Sequence, residues 1–168
     1  AGVPVILATC RGGASPLRQH ERWMWPLADH LLCNTFALKN HLIGHLRLPE
    51  AHITVIPNGV DTNFFCPHSG GLNPRNKIIL CIARLVPDKD HETLLTAFGL
   101  LLWKHPDAEL WLVGDGRLQG PLKQRAADNV LQGRVRFLPG RLDLRSLFHQ
   151  AAIFVLSSRQ EALPNVVL

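Results

Sequence analysis

The 168-residue sequence has no Cys-x-x-Cys pair, no run of five basic residues and no apolar stretch as long as a membrane span. Its four cysteines, Cys10, Cys33, Cys66 and Cys81, are spaced 23, 33 and 15 residues apart. That spacing excludes a disulfide-dense scaffold and fits reduced thiols in a cytoplasmic protein. The longest apolar runs, such as 94–103, stop well short of the ~20 residues needed to cross a bilayer. An integral membrane protein is therefore excluded, while peripheral attachment to the inner face of a membrane stays open. Eighteen Lys and Arg against thirteen Asp and Glu give a net charge of +5, but these charges are scattered. They read as a solvated basic surface, with attraction to phosphates, anionic lipid head groups or nucleic acid as the alternative on charge alone; with the motifs below, no nucleic-acid partner is expected. What is present is globular: 46% hydrophobic and 18% charged residues, in a chain long enough to bury roughly 68 to 70% of its unfolded surface. The sequence opens Ala1-Gly2-Val3 and closes Val166-Val167-Leu168, and reads as an internal segment of a longer protein.

Strands are expected over 3–8, 31–33 and 53–56, from short β-rich runs bounded by turn residues. A Gly-rich turn at Arg11-Gly12-Gly13 leads into a helical stretch ending near Leu27. Thr35 is placed to cap a helix carrying Leu38, Leu42, Ile43 and Leu46 on one face, which Pro49 ends. Pro57-Asn58-Gly59 then turns into a polar stretch holding Pro67, Gly70, Gly71 and Pro74 and running to Asn76, which marks the domain boundary. Beyond it the order becomes regular: strands over 78–83, 109–113, 135–138 and 153–156 alternate with helices over 92–105, 118–129 and 144–150, and a helix start is expected near Asn165. Alternation of this kind builds parallel βαβ units, hence an α/β, Rossmann-like doubly wound parallel sheet covered on both faces. Leu94, Leu95, Phe98, Leu101 and Leu102 form a core face. Ligands of such sheets bind beyond the carboxyl ends of the strands, so the loops after Ala83, Val113, Leu138 and Leu156 are the places to read for chemistry.

The first of these loops sets Arg84 and Lys89 five residues apart around Pro87, before a helix that Asp90 can cap. Two such cations suit a diphosphate, although each also reads as an ordinary exposed base. The second, Gly114-Asp115-Gly116-Arg117-Leu118-Gln119-Gly120, resembles a Gly-x-Gly-x-x-Gly fingerprint with one extra residue. It offers close backbone approach and free amides, or simply a tight turn. The fourth carries Glu161, able to accept hydrogen bonds from sugar hydroxyls, and free amides at the helix start able to hold an anion; a solvated Glu is the plain alternative. Pro139-Gly140-Arg141 offers only a turn. His41 and His45 lie four apart, a spacing that suits Zn, but with no third ligand nearby a metal site is not expected. Trp23 and Trp25 read as packing against a partner domain.

Taken in order, Ile56-Pro57-Asn58-Gly59-Val60-Asp61-Thr62, Phe65-x-Pro67, Ala83-Arg84-Leu85-Val86-Pro87-x-Lys89, Leu112-Val113-Gly114-Asp115-Gly116 and Ser157-Ser158-x-x-Glu161-x-Leu163-Pro164-Asn165-Val166-Val167-Leu168 resemble the retaining glycosyltransferases of group 1 (family 4). The resemblance runs along nearly the whole chain and implies a two-domain GT-B fold, truncated here. Residues 1–60 would then be the end of the amino-terminal, acceptor-side domain with the hinge, and 61–168 the first part of the carboxyl-terminal domain that binds the nucleotide sugar. It implies that Arg84 and Lys89 hold the donor diphosphate, that Glu161 faces the donor sugar, and that Gly114, Gly116, Leu163 and Asn165 border the donor. Pro164 has no N–H to give. The family's second Glu would fall at position 169, one past the end. Ala162 stands where the family usually has Gly, and Arg11 where relatives often have His; His20 is not taken as a substitute for that His.

The resemblance thus implies a glycosyltransferase, of hexosyltransferase type, that uses a nucleotide diphosphate sugar as donor substrate. The acceptor would be a sugar, glycan, lipid-linked group or small molecule. No cofactor or metal is expected, because the two cations supply the positive charge. The 168 residues alone are expected to be inactive. Two alternatives remain: a non-catalytic nucleotide-binding fragment, and an NAD(P)-dependent oxidoreductase built on the turn from Gly114 to Gly120. The second is disfavoured because that turn does not follow the first strand of its sheet and Asp143, the nearest fitting acid, comes only after the next strand.

Overall fold

The computed structural model describes residues 2, 4–11, 23–67, 77–140 and 143–168. The sequence readings at Gly12, Gly13 and His20, the helical stretch over 14–22, the polar stretch over 68–76 and Arg141 lie outside the described residues. The chain divides into two units, Ala1–Val60 with Gln160–Leu168, and Asp61–Arg159. The segment 160–168, read from the sequence as part of the second domain, thus groups with the first unit.

In the first unit three short strands, β1 (Leu7–Cys10), β2 (His30–Cys33) and β3 (Ile53–Val55), pair in parallel in that order. Their alternate residues Cys10, Leu31, Cys33 and Ile53 are buried, as a sheet covered on one face by a helix requires. That helix, α1 (Phe36–Leu46), starts where Thr35 Oγ1 accepts the amide of Leu38 at 3.0 Å. It ends at Arg47, whose left-handed backbone (φ 54°) turns its amide back to the Ile43 carbonyl, a common way to satisfy the last carbonyls of a helix. Leu38 and Leu42 bring its apolar face onto the sheet, and Trp25, Ile43, Leu46 and Ala162 close the cluster. Trp25 therefore packs within its own unit, contrary to the expectation of a partner domain, because the 3-10 turn Trp25–Leu27 brings it against this core. Trp23, by contrast, is 80% exposed.

In the second unit β4 (Ile78–Ile82), β5 (Glu109–Val113), β6 (Val135–Leu138) and β7 (Ile153–Phe154) form one parallel sheet in the order β6-β5-β4-β7. The helices between them are α2 (His91–Leu102), α3 (Gln119–Ala126) and α4 (Leu144–Gln150). Side chains alternate across β4 and β5. Ile79, Cys81, Leu110 and Leu112 join Leu94, Leu95, Phe98, Leu102 and Leu122 in one core, while Leu80, Trp111 and Val113 join Leu147 and Ala151 in another. Both faces are covered, so the strands read as near-continuous apolar runs rather than alternating ones. Full burial of each such Leu contributes about 1.5 to 3 kcal/mol before entropy is subtracted. Helix α2 stops at Leu102, three residues before the expected end, as the chain approaches Pro106, which has no amide to continue the ladder.

Strand order matters more than strand count. The chain moves outward from β4 to β5 and β6, then returns to place β7 on the other side of β4, pairing Ile79 with Ile153 and Leu80 with Phe154. The loops that leave β4 and β7 therefore flank the point where the order reverses, where open α/β sheets have their binding crevice.

Candidate functional site

The loop after β4 is fixed residue by residue. Ala83 donates to the Val113 carbonyl (3.0 Å), Leu85 donates to the Asp115 carbonyl (2.9 Å), and the Leu85 carbonyl accepts from Leu118 (3.0 Å). Leu85 is fully buried and anchors the segment, so Arg84 stands between two tied neighbours with its side chain exposed. No side-chain hydrogen bond or ion pair engages Arg84 among the described residues. Pro87 then opens a 3-10 turn, Pro87–Lys89, for which its fixed φ is suited. Lys89 is half-buried. Its charge works against a second cation on His91, whose ring is buried, and both burial and Lys89 hold the imidazole below its usual pKa although Asp90 opposes them. Burial pushes the Cys81 thiol up to about 11 despite the pull of Lys89.

The glycine loop after β5 lies directly against this segment. Gly114 has φ +142°, and a β-carbon there would lie 2.2 Å from the Ala83 carbonyl oxygen. One at Gly116 would lie 2.4 Å from that of Leu85. Contacts that short do not exist, so both positions need glycine to let two backbones touch. Asp115 Oδ2 in turn accepts the Gly140 amide at 3.2 Å, which ties in the loop after β6. The same two glycines suggested a dinucleotide fingerprint in sequence, and on this side their free space is taken by the loop after β4.

The loop after β7 supplies what sequence reasoning missed. Ser157 Oγ donates to the Lys89 carbonyl at 2.8 Å, the Arg159 amide donates to the Asp88 carbonyl at 3.0 Å, and Arg159 Nε meets Asp90 Oδ2 at 3.0 Å. The Arg159 guanidinium, helped by the hydroxyl and amide of Thr93, holds the Asp90 carboxyl below the usual range. Asp90 occupies the N-cap position of α2 as expected from sequence, and its carboxylate faces both Arg159 and Thr93 in the first turn of the helix. Nothing in the local sequence signals these contacts, because they depend on β7 lying beside β4.

Of the residues singled out from sequence, Arg84, Lys89, Gly114 and Gly116 come together in the second unit, while Glu161, Leu163 and Asn165 belong to the first. Glu161 is half-buried. The Leu163 carbonyl accepts from Asn58 Nδ2 at 2.9 Å, which engages the Pro-Asn-Gly turn. Asn165 is exposed and opens only the three-residue 3-10 turn Asn165–Val167. At the carboxyl ends of β1–β3 a cavity of about 360 Å³ is lined by Thr9, Arg11, Asn34 and Asn58 among others; Asn34 is 3% exposed and its Oδ1 has no partner among the described residues. His41 and His45 stack with ring centroids 3.9 Å apart, and the described residues hold no group of three metal-ligating side chains. No helix among them is long and apolar enough to cross a membrane.

Known proteins share the sequence pattern and the fold of this chain. A family model described as "Glycosyl transferases group 1" matches residues 66–168, and one described as "Glycosyltransferase Family 4" matches residues 6–64. The mannosylfructose-phosphate synthase of Agrobacterium fabrum is 29% identical over 161 residues, covering 85% of this chain and 36% of its own. The UDP-Gal:alpha-D-GlcNAc-diphosphoundecaprenol alpha-1,3-galactosyltransferase of Escherichia coli is 28% identical over 190 residues, covering 100% of this chain and 49% of its own. The chain thus spans about a third to a half of these relatives. Among solved structures, TarM superposes with a TM-score of 0.79 at 15% identity over 92% of this chain and 32% of its own. Anabaena HepE in complex with UDP gives 0.79 at 21% identity over 96% of this chain and 49% of its own. Both share the α/β GT-B fold.

Proposed function

As this chain belongs to the group 1 glycosyltransferases, we propose that the intact protein transfers a hexosyl group, with retention, from a nucleoside diphosphate sugar to a sugar, glycan or lipid-linked acceptor. One observation carries the reading: Arg84 and Lys89 project from a single anchored loop at the carboxyl end of β4, beside the point where strand order reverses. Departure of the sugar leaves negative charge on the diphosphate, and preorganised cations stabilise it most when the surrounding loop need not move. The tied backbone on either side of Arg84 and the 3-10 turn that carries Lys89 meet that requirement. Neutralisation of the diphosphate is assigned to these two side chains, and acceptance of hydrogen bonds from the donor sugar's hydroxyls to Glu161. Gly114 and Gly116 contribute by letting the loop that carries Arg84 sit close. Leu163 and Asn165 border the donor through their backbone. HepE, solved with UDP, and the galactosyltransferase named for UDP-Gal favour a uridine nucleotide as the first donor to try.

The test is UDP binding by isothermal titration with the intact protein and its Arg84→Ala and Lys89→Ala variants, with and without EDTA. Both substitutions should weaken binding and EDTA should leave it unchanged. Wild-type affinity in both variants would make these residues surface charges and remove the reading.

A further inference from the structure

All four backbone polar groups of the two peptide units flanking the Lys89 α-carbon are engaged. The Asp88 carbonyl accepts from the Arg159 amide (3.0 Å), the Lys89 amide donates to the Val86 carbonyl (3.1 Å), the Lys89 carbonyl accepts from Ser157 Oγ (2.8 Å), and the Asp90 amide donates to the Pro87 carbonyl (3.1 Å). Two of the four partners belong to the loop after β7. The next residue, Asp90, has φ +47°, a left-handed conformation uncommon outside glycine but several-fold more accessible to Asp than to most residues. The Arg159 guanidinium holds that residue by its carboxylate. Its side chain is 72% exposed, so the pair contributes little to stability; its effect is on where the turn points.

We propose that Ser157, Arg159 and Asp90 are positioning residues, a latch from the loop after β7 that fixes the direction in which Lys89 leaves its turn and so aims the ammonium at a nucleoside diphosphate. The inference rests on the donor-site reading above. It assigns the pair Asp90–Arg159 no contact with the nucleotide, and its whole effect passes through Lys89.

The experiment uses the intact protein, with UDP titration, amide hydrogen exchange and thermal melting on Ser157→Ala, Arg159→Ala, Arg159→Lys, Lys89→Ala and the Arg159→Ala, Lys89→Ala double variant. Arg159→Ala should speed exchange at the Lys89 and Asp90 amides and weaken UDP binding modestly, about fivefold. It should leave the melting temperature nearly unchanged. Ser157→Ala should act in the same direction, and Arg159→Lys should recover part of the affinity. In the Lys89→Ala background, Arg159→Ala should cost nothing further. Unchanged exchange at residues 89 and 90 in Arg159→Ala would overturn the latch whatever the affinities do. An equal loss of affinity in both backgrounds would overturn it too, by showing that Arg159 acts without Lys89. A Lys89→Ala protein that binds UDP like the wild type would instead overturn the donor-site reading, and with it the role of the latch.

Discussion

Gly116 and Leu85 are packed so closely that a single added methyl group at Gly116 would lie 2.4 Å from the Leu85 carbonyl oxygen and 2.8 Å from its amide nitrogen. The obstacle is backbone rather than a flexible side chain, so relief requires the loop after β4 to move. Gly116→Ala should therefore displace Arg84 and weaken UDP binding by tenfold or more, since a shift of about 1 Å can cost on the order of 100-fold at a preorganised site. Gly120→Ala, where nothing lies within 4 Å, is the matched control and should bind normally. Titration of the two variants side by side decides the point.

Burial holds His91 neutral in the folded chain to a lower pH than in the unfolded chain, whose imidazole titrates near 6.5. Below that pH the unfolded state binds more protons, so stability rises with pH up to about 6.5 and is lost as pH falls below it. Urea midpoints measured from pH 7.5 to 5.5 should fall on the acid side. His91→Leu should flatten that fall, while His41, whose pKa is lowered by burial and by His45, leaves a residual slope. An equally steep profile in the variant would show that His91 titrates freely.

The Thr35 hydroxyl satisfies one amide of the first turn of α1 at 3.0 Å. Thr35→Ala should cost about 1 kcal/mol, a common value for losing such a cap, whereas Thr35→Ser should cost less because its hydroxyl can take the same bond. Chemical denaturation followed by circular dichroism reads the difference, and equal stability of the Ala and Thr proteins would contradict it.

In the intact protein Arg84 and Lys89 are assigned to one leaving group. A charge-assisted hydrogen bond contributes about 1.5 to 3 kcal/mol, so each Ala substitution should lower donor turnover by roughly 10- to 150-fold. The double variant should depart from simple addition. Strictly additive losses would place the two cations on separate partners. Glu161→Ala should reduce transfer more than UDP affinity.

The regular part of the fold is legible in the sequence because apolar runs and turn residues coincide. The strand Glu109–Val113, the strand Val135–Leu138 and the helix Leu144–Gln150 have the expected bounds. Boundaries slip where tertiary contacts decide them. The first strand is Leu7–Cys10 rather than 3–8, and the last contracts to Ile153–Phe154. Arg84 and Lys89 stood out because paired cations at the end of a strand are readable locally. Arg159 and Ser157 did not, since their partners lie 69 and 68 residues away, and only strand order brings them together. Gly114 and Gly116 were legible as glycines of special purpose, but spacing alone does not say whether a ligand or another stretch of chain occupies the space they leave.

The return of β7 to the flank of β4 sets an order of events in synthesis. Lys89 leaves the ribosome about 70 residues before Arg159, which at 5 to 20 residues per second is a wait of roughly 3.5 to 14 s. During that interval β4, with its Leu80 and Cys81, has one edge open to solvent or to another nascent chain, a hazard that folded sheets avoid by covering or closing their edges. Ser157 and Arg159 follow β7 directly in the chain, so the Lys89 turn gains its last contacts only once the β4 edge can be covered.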